Sequence, residues 1–167
     1  MDFDKLSDLP DWDDDDDFRD EDEEGEGWKP NPTRDACKAL YQQWQQVMIV
    51  SNGALDSMNI QEKEDGFLAD YWEDHKAMIL GDAFQVAVKI KSSEAGLYQI
   101  RMENASIIRK NAQFIKSSIL TLMAEDVIEE AHGQVIRDEI DKFRELFKEW
   151  VDTFEKDEFE DEWGLFN

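Results

Sequence analysis

The 167-residue chain has one cysteine, Cys37. A single thiol cannot close an internal disulfide, and nothing flanking it has the spacing of a metal or redox motif, so a reducing compartment is expected. Positive charge is scarce: 18 Lys and Arg stand against 42 Asp and Glu, a formal net charge of −24. Nucleic-acid phosphates and anionic membrane surfaces are normally bound by Lys and Arg that displace counterions, so neither is an expected partner and a basic protein is. No stretch approaches the ~18 uncharged residues of a membrane span. The opening residues Met1 to Asp4 have neither the positive charge nor the apolar run of a signal peptide, which makes the cytoplasm the expected location. Sustained period-two alternation is missing as well, which argues against a sheet. There is no Gly-x-Ser-x-Gly, phosphate-cradling loop or dinucleotide fingerprint, and the eight glycines sit mainly in the tails and near helix ends. Convergent catalytic roles cannot be assembled from these residues, so an enzyme is not expected.

What the chain does have is 41% hydrophobic and 11% aromatic residues, enough for one packed core at this length. Residues 1–30 hold 15 acids and 3 bases, a net of −12, which is half of the whole charge in the first thirty positions. The runs Asp13–Asp17 and Asp20–Glu24 repel themselves, and a disordered acidic tail is expected here. Trp12, Phe18 and Trp28 are interleaved with the carboxylates. Such aromatics either dock onto a partner or fold back on the chain's own core.

Helical periodicity begins at Asn31 and Pro32, a capping residue followed by the imino acid suited to a first helical position. Leu40, Trp44, Val47, Ser51, Ala54 and Met58 then recur at steps of three and four. After a polar turn closed by Gly66, a second seam runs through Leu68, Trp72, His75, Ile79, Ala83, Val86 and Ile90 toward a turn at Gly96. A third reads Leu97, Ile100, Asn104, Ile107, Asn111, Ile115, Ser118 and Leu122. A fourth reads Ile128, His132, Ile136, Ile140, Phe143, Phe147, Trp150 and Phe154. Four segments of similar length joined by short connections predict an all-α, antiparallel four-helix bundle over residues 31–154. Two long hairpins that complete their core as a homodimer are the alternative architecture. Residues 155–167 return to acid and aromatics, and Trp163, Leu165 and Phe166 there either pack on the bundle or serve as interaction anchors.

Three constellations are candidates for chemistry. Glu129 and His132 have the Glu-x-x-His spacing used in carboxylate di-metal bundles, although the second copy is missing. In an up-down-up-down bundle His75 and His132 start from the same end, so with Glu129, and Asp74 or Asp56, they can be brought together to hold one divalent metal. No other cofactor is expected. Asn104 and Asn111, one heptad apart on an isoleucine-rich seam, fit register control; the alternative is a polar ligand cavity with Arg101, Glu103 and Arg109. The leading functional expectation is a non-enzymatic interaction protein that presents acidic and aromatic termini to a basic partner.

The segments Arg101–Ala105, Arg137–Ile140, Phe143–Val151 and Asp161–Phe166, together with Leu9–Trp12 and Trp28–Pro32, resemble a family of small acidic helical bacterial proteins. That resemblance covers most of the chain and implies a bacterial cytoplasmic origin. The family has no assigned activity, so no catalytic or binding residue is carried over.

Overall fold

A computed structural model of the protein describes residues 9–12, 29–60 and 66–167. Among the described residues there are four α-helices and no strand: α1 (Pro32–Asp56), α2 (Gly66–Lys91), α3 (Tyr98–Ala124) and α4 (Glu130–Asp152). At 23 to 27 residues each they are rods of roughly 35–40 Å. They pack in the ring α1–α2–α3–α4–α1, which leaves α2 and α4 on opposite corners. This is the expected antiparallel bundle.

Local chemistry sets where α1 starts. Asn31 Oδ1 accepts from the Arg34 amide at 3.0 Å and Pro32 takes the first turn, so α1 begins where its otherwise unpaired amides are satisfied. Leu97 and Glu129, which precede α3 and α4, make no side-chain cap. The turn after α3 places Asp126 at a positive φ of 53°, a conformation that Asp tolerates better than most residues.

Trp44 lies at the centre of the core. It is fully buried, its indole Nε1 donates to the Ala83 carbonyl of α2 at 2.8 Å, and its ring packs on Phe143 of α4 with centroids 4.7 Å apart. Aromatic contacts continue down α4 from Phe143 to Phe147, Trp150 and Phe154. Polar ties reinforce the pairing: Gln43 of α1 donates to Glu139 of α4, Arg137 of α4 donates to the Lys116 carbonyl of α3, and Lys116 pairs with Asp141. At the far end the Asn59 amide donates to the Val127 carbonyl at 2.9 Å and joins the two turns there.

Inside the helices most expected seam positions are buried, but His75 and Ile107 are only half-buried and Leu68 is exposed. Leu97 and Ile100 are exposed, whereas Ile108 is fully buried. Leu97 has extended backbone before α3 begins, so a helical period counted from it starts on the wrong face. The same error affects His132. Ile128 lies in the turn before Glu130, and the buried face of α4 runs instead through Gly133, Ile136, Ile140, Phe143 and Trp150. A Cβ at Gly133 would come within 2.4 Å of the Met123 side chain, which fills the space a side chain at 133 would take. His132 therefore faces solvent.

Of the first thirty residues only 9–12 and 29–30 are described, and the expectation of disorder for the rest lies outside the described residues. At 9–12 it is corrected. Trp12 is buried, edge-on to Tyr41 with centroids 5.7 Å apart, because the bundle offers it an aromatic partner and a cation.

Trp44→Ala should cost about 3–5 kcal/mol, since it opens a large cavity and removes a hydrogen bond, and Trp44→Phe about 1–3 kcal/mol. Urea denaturation checks both. A loss below about 1 kcal/mol for the alanine variant contradicts a central role for this side chain.

Candidate functional site

Both ends of the described chain gather at one end of the bundle, around the turn from Ser92 to Leu97. The centre of this region is Glu94, a buried carboxylate. It accepts from Arg34 Nε of α1 at 2.9 Å and from Lys91 Nζ of α2 at 3.1 Å, while Arg101 of α3 donates to the backbone carbonyls of Ser93 and Glu94. Three helices are thus tied to one turn. A buried charge needs such partners to offset its desolvation.

Lys91 has a second role, since its ammonium sits 4.0 Å from the centroid of the Trp12 ring. Cation–π attraction and the Tyr41 hydroxyl, which donates to the Pro10 carbonyl at 2.8 Å, hold residues 9–12 as a strap across α1 and α2. Beside the strap a groove of about 490 Å³ is lined by Leu9, Tyr41, Phe84, Ala87 and Val88. Cys37 lies nearby but is closed off. Its Sγ contacts the Ile90 carbonyl, and burial, helped by Glu94, pushes the thiol up to about 12, leaving no thiolate at neutral pH.

On the other side of the turn, residues 155–167 carry six acids and one base. Asp157 Oδ2 accepts from the Tyr98 amide at 2.8 Å, so a carboxylate from beyond α4 caps α3, whose own first turn has no acid. Gln99, itself buried, donates to the Phe159 carbonyl and to Asn167 Oδ1. Asp161 Oδ2 accepts from the amides of Trp163 and Leu165, its carbonyl accepts from Gly164, and its amide donates to Asn167. Gly164 at φ +73° and Phe166 at φ +59° close the turn. The backbone is fixed and the large side chains are not covered: Trp163 is 89% exposed, Phe159 and Leu165 are exposed, and Phe166 is half-buried.

The sequence pointed to Trp163, Leu165 and Phe166 but missed the groups that hold them, Asp157, Gln99 and Asp161. A detectable signal was the missing cap before Tyr98, together with the Asp161-x-x-Gly164 turn pattern. Of the other anchors, Trp12 is in the strap, and Phe18 and Trp28 lie outside the described residues.

The amide seam is placed as follows. Asn104 donates to Ser93 Oγ at 2.9 Å and Asn111 to Gln85 Oε1 at 2.6 Å, so the first ties α3 to the turn after α2 and the second ties α3 to α2 itself. Arg101 belongs to the Glu94 turn, and Glu103 and Arg109 are exposed, so these residues do not enclose a common cavity.

The proposed metal triad is not brought together. His75 faces α3, stacked on Tyr71 and near Trp72 and Phe114. His132 is 51% exposed on α4, 3.8 Å from Glu129. The helices that carry the two histidines are diagonal in the bundle, and among the described residues no three His, Cys, Asp or Glu side chains converge as metal ligands. His75 Nε2 is buried without a hydrogen-bond partner, and that burial lowers its pKa.

Comparisons with known proteins add no neighbour: no family model matches the chain, nor does any curated protein or solved structure. Among the described residues no helix is long and apolar enough to cross a membrane.

His75 gives a pH prediction. Its folded pKa lies below the unfolded value, so the stability it contributes is complete above about pH 6.5 and falls as the unfolded chain takes up a proton below that. Relief of carboxylate repulsion acts in the opposite direction, so the comparison with His75→Phe is the readout. Between pH 7 and 5.5, denaturation midpoints of the wild type should fall relative to those of the variant. Parallel profiles contradict the assignment.

Proposed function

We propose that the protein is a non-enzymatic interaction module whose C-terminal segment engages a basic protein partner. The observation that carries this reading is Trp163, a large apolar side chain 89% exposed on a turn whose backbone is already hydrogen-bonded. Tryptophan is enriched among the few residues that dominate interface energies. Holding it in place beforehand lowers the conformational entropy lost on binding. Six carboxylates within residues 155–162 surround it with charge that steers a cationic surface and repels anionic ones. Trp12 is engaged in the strap, so the reading moves from both termini to the C-terminal one. A bacterial cytoplasmic setting accompanies it, supported by the sequence resemblance and by a single thiol with no disulfide partner within the chain.

The test compares basic proteins retained from lysate by the immobilised full chain and by Trp163→Ala/Leu165→Ala. A specific basic partner should be retained at about 0.15 M salt, released as screening grows, and reduced about tenfold or more by the double variant. Identical retention by both proteins contradicts the proposal.

A further inference from the structure

Helix α2 carries two seams. One faces the core through Trp72, Ile79, Ala83, Val86 and Ile90. The other, Tyr71, Asp74, Met78, Gly81, Gln85 and Val88, advances at alternating steps of three and four residues along the outer side, and Phe67 continues the spacing one turn earlier. All six positions are exposed, with Met78 at 56% and Tyr71 at 49%. A three-four seam is the pattern by which one helix receives another, and the core already uses the opposite face.

Gly81 is the independent observation. It lies inside a 26-residue helix, where glycine is less favourable than alanine, and a Cβ added there would meet nothing within 4 Å. No packing within the described residues explains it. On a helix-docking seam a glycine lets a second backbone come close. Its position between Met78 and Gln85 puts the open spot in the middle of the stripe.

Charge decides what kind of helix fits. Asp74 is in the seam and Asp70 flanks it; both are exposed, and neither forms an ion pair within the described residues. The seam itself carries no lysine or arginine, so a second copy of this chain offers these aspartates no seam cation, and in a parallel pairing it brings them toward one another. Residues 13–26 carry 11 acids and one base, the wrong sign for this face. We propose that the outer seam of α2 is a docking surface for an amphipathic, lysine- or arginine-flanked helix of a partner protein, with apolar residues meeting Tyr71, Met78 and Val88 and a backbone approaching Gly81. From Tyr71 to Val88 the seam is about 26 Å long, which matches a partner helix of roughly 18 residues. The site begins at the opposite end of the bundle from Trp163 and does not rest on the proposal made for that residue.

The probe is a synthetic 18-residue helix with leucine at heptad seam positions and lysine elsewhere, titrated by fluorescence anisotropy into the full-length protein. Its control is a scrambled peptide of the same composition. The helical probe should bind, and the scrambled one at least about tenfold more weakly. Met78→Ser/Val88→Ser and Gly81→Leu should each weaken binding about tenfold, and Trp163→Ala should leave it unchanged. All are substitutions at exposed positions, and unchanged circular-dichroism melts verify the fold. Equal affinity for both peptides, insensitivity to the α2 variants, or loss of binding in Trp163→Ala overturns the proposal. So does a dimer of the protein alone that Met78→Ser/Val88→Ser dissociates, which would assign the face to a second copy.

Discussion

Trp44 reaches α2 through its indole N–H, bonded to the Ala83 carbonyl, and α4 through ring contact with Phe143. One buried side chain therefore fixes α1 against both of its neighbours. A hydrogen bond from an indole is directional and aromatic pairs favour offset or edge geometries, so together they set how far along its axis each helix sits as well as which face it turns inward. From Phe143 the aromatic contacts run through Phe147 and Trp150 to Phe154, just past the end of α4. The start of the C-terminal segment is thus placed by the core.

That placement lets Asp157 cap α3 and lets Gln99 hold the backbone around Phe159 and Asn167. The cap serves two ends at once, because α3 lacks its own and the C-terminal segment has no helix to belong to. Next to it, Glu94 ties α1 and α2 to the turn with two cations, and Lys91 also supports the Trp12 strap. A strongly acidic chain thus places several of its few bases around one buried carboxylate.

Much of the architecture was legible in the periodicity of the sequence, because burial of an apolar face is what selects a helix's orientation. Trp44, Ile79, Ile115, Ile136 and Trp150 all lie where three-four spacing places them. Two of the errors share a cause. Leu97 and Ile128 are apolar but precede their helices, and counting from them turned Ile100 and His132 inward. The histidine pair failed for a further reason, since helices that begin at the same end of a four-membered ring can still be diagonal. Long-range caps such as Asp157 were hidden because they join residues 59 positions apart and follow from the fold rather than from any local pattern. The outer seam of α2 was hidden differently: its spacing is in the sequence, but only the packing shows which of two seams the core uses.

The central claim is that the bundle holds its C-terminal acidic turn in a fixed form before any partner arrives. Amide hydrogen exchange on the free protein tests it most directly. The amides of Tyr98, Gly164 and Leu165 should exchange at least about tenfold more slowly than in an unstructured chain, and Asp157→Ala should release Tyr98. Exchange of all three at unstructured rates in the wild type would contradict it.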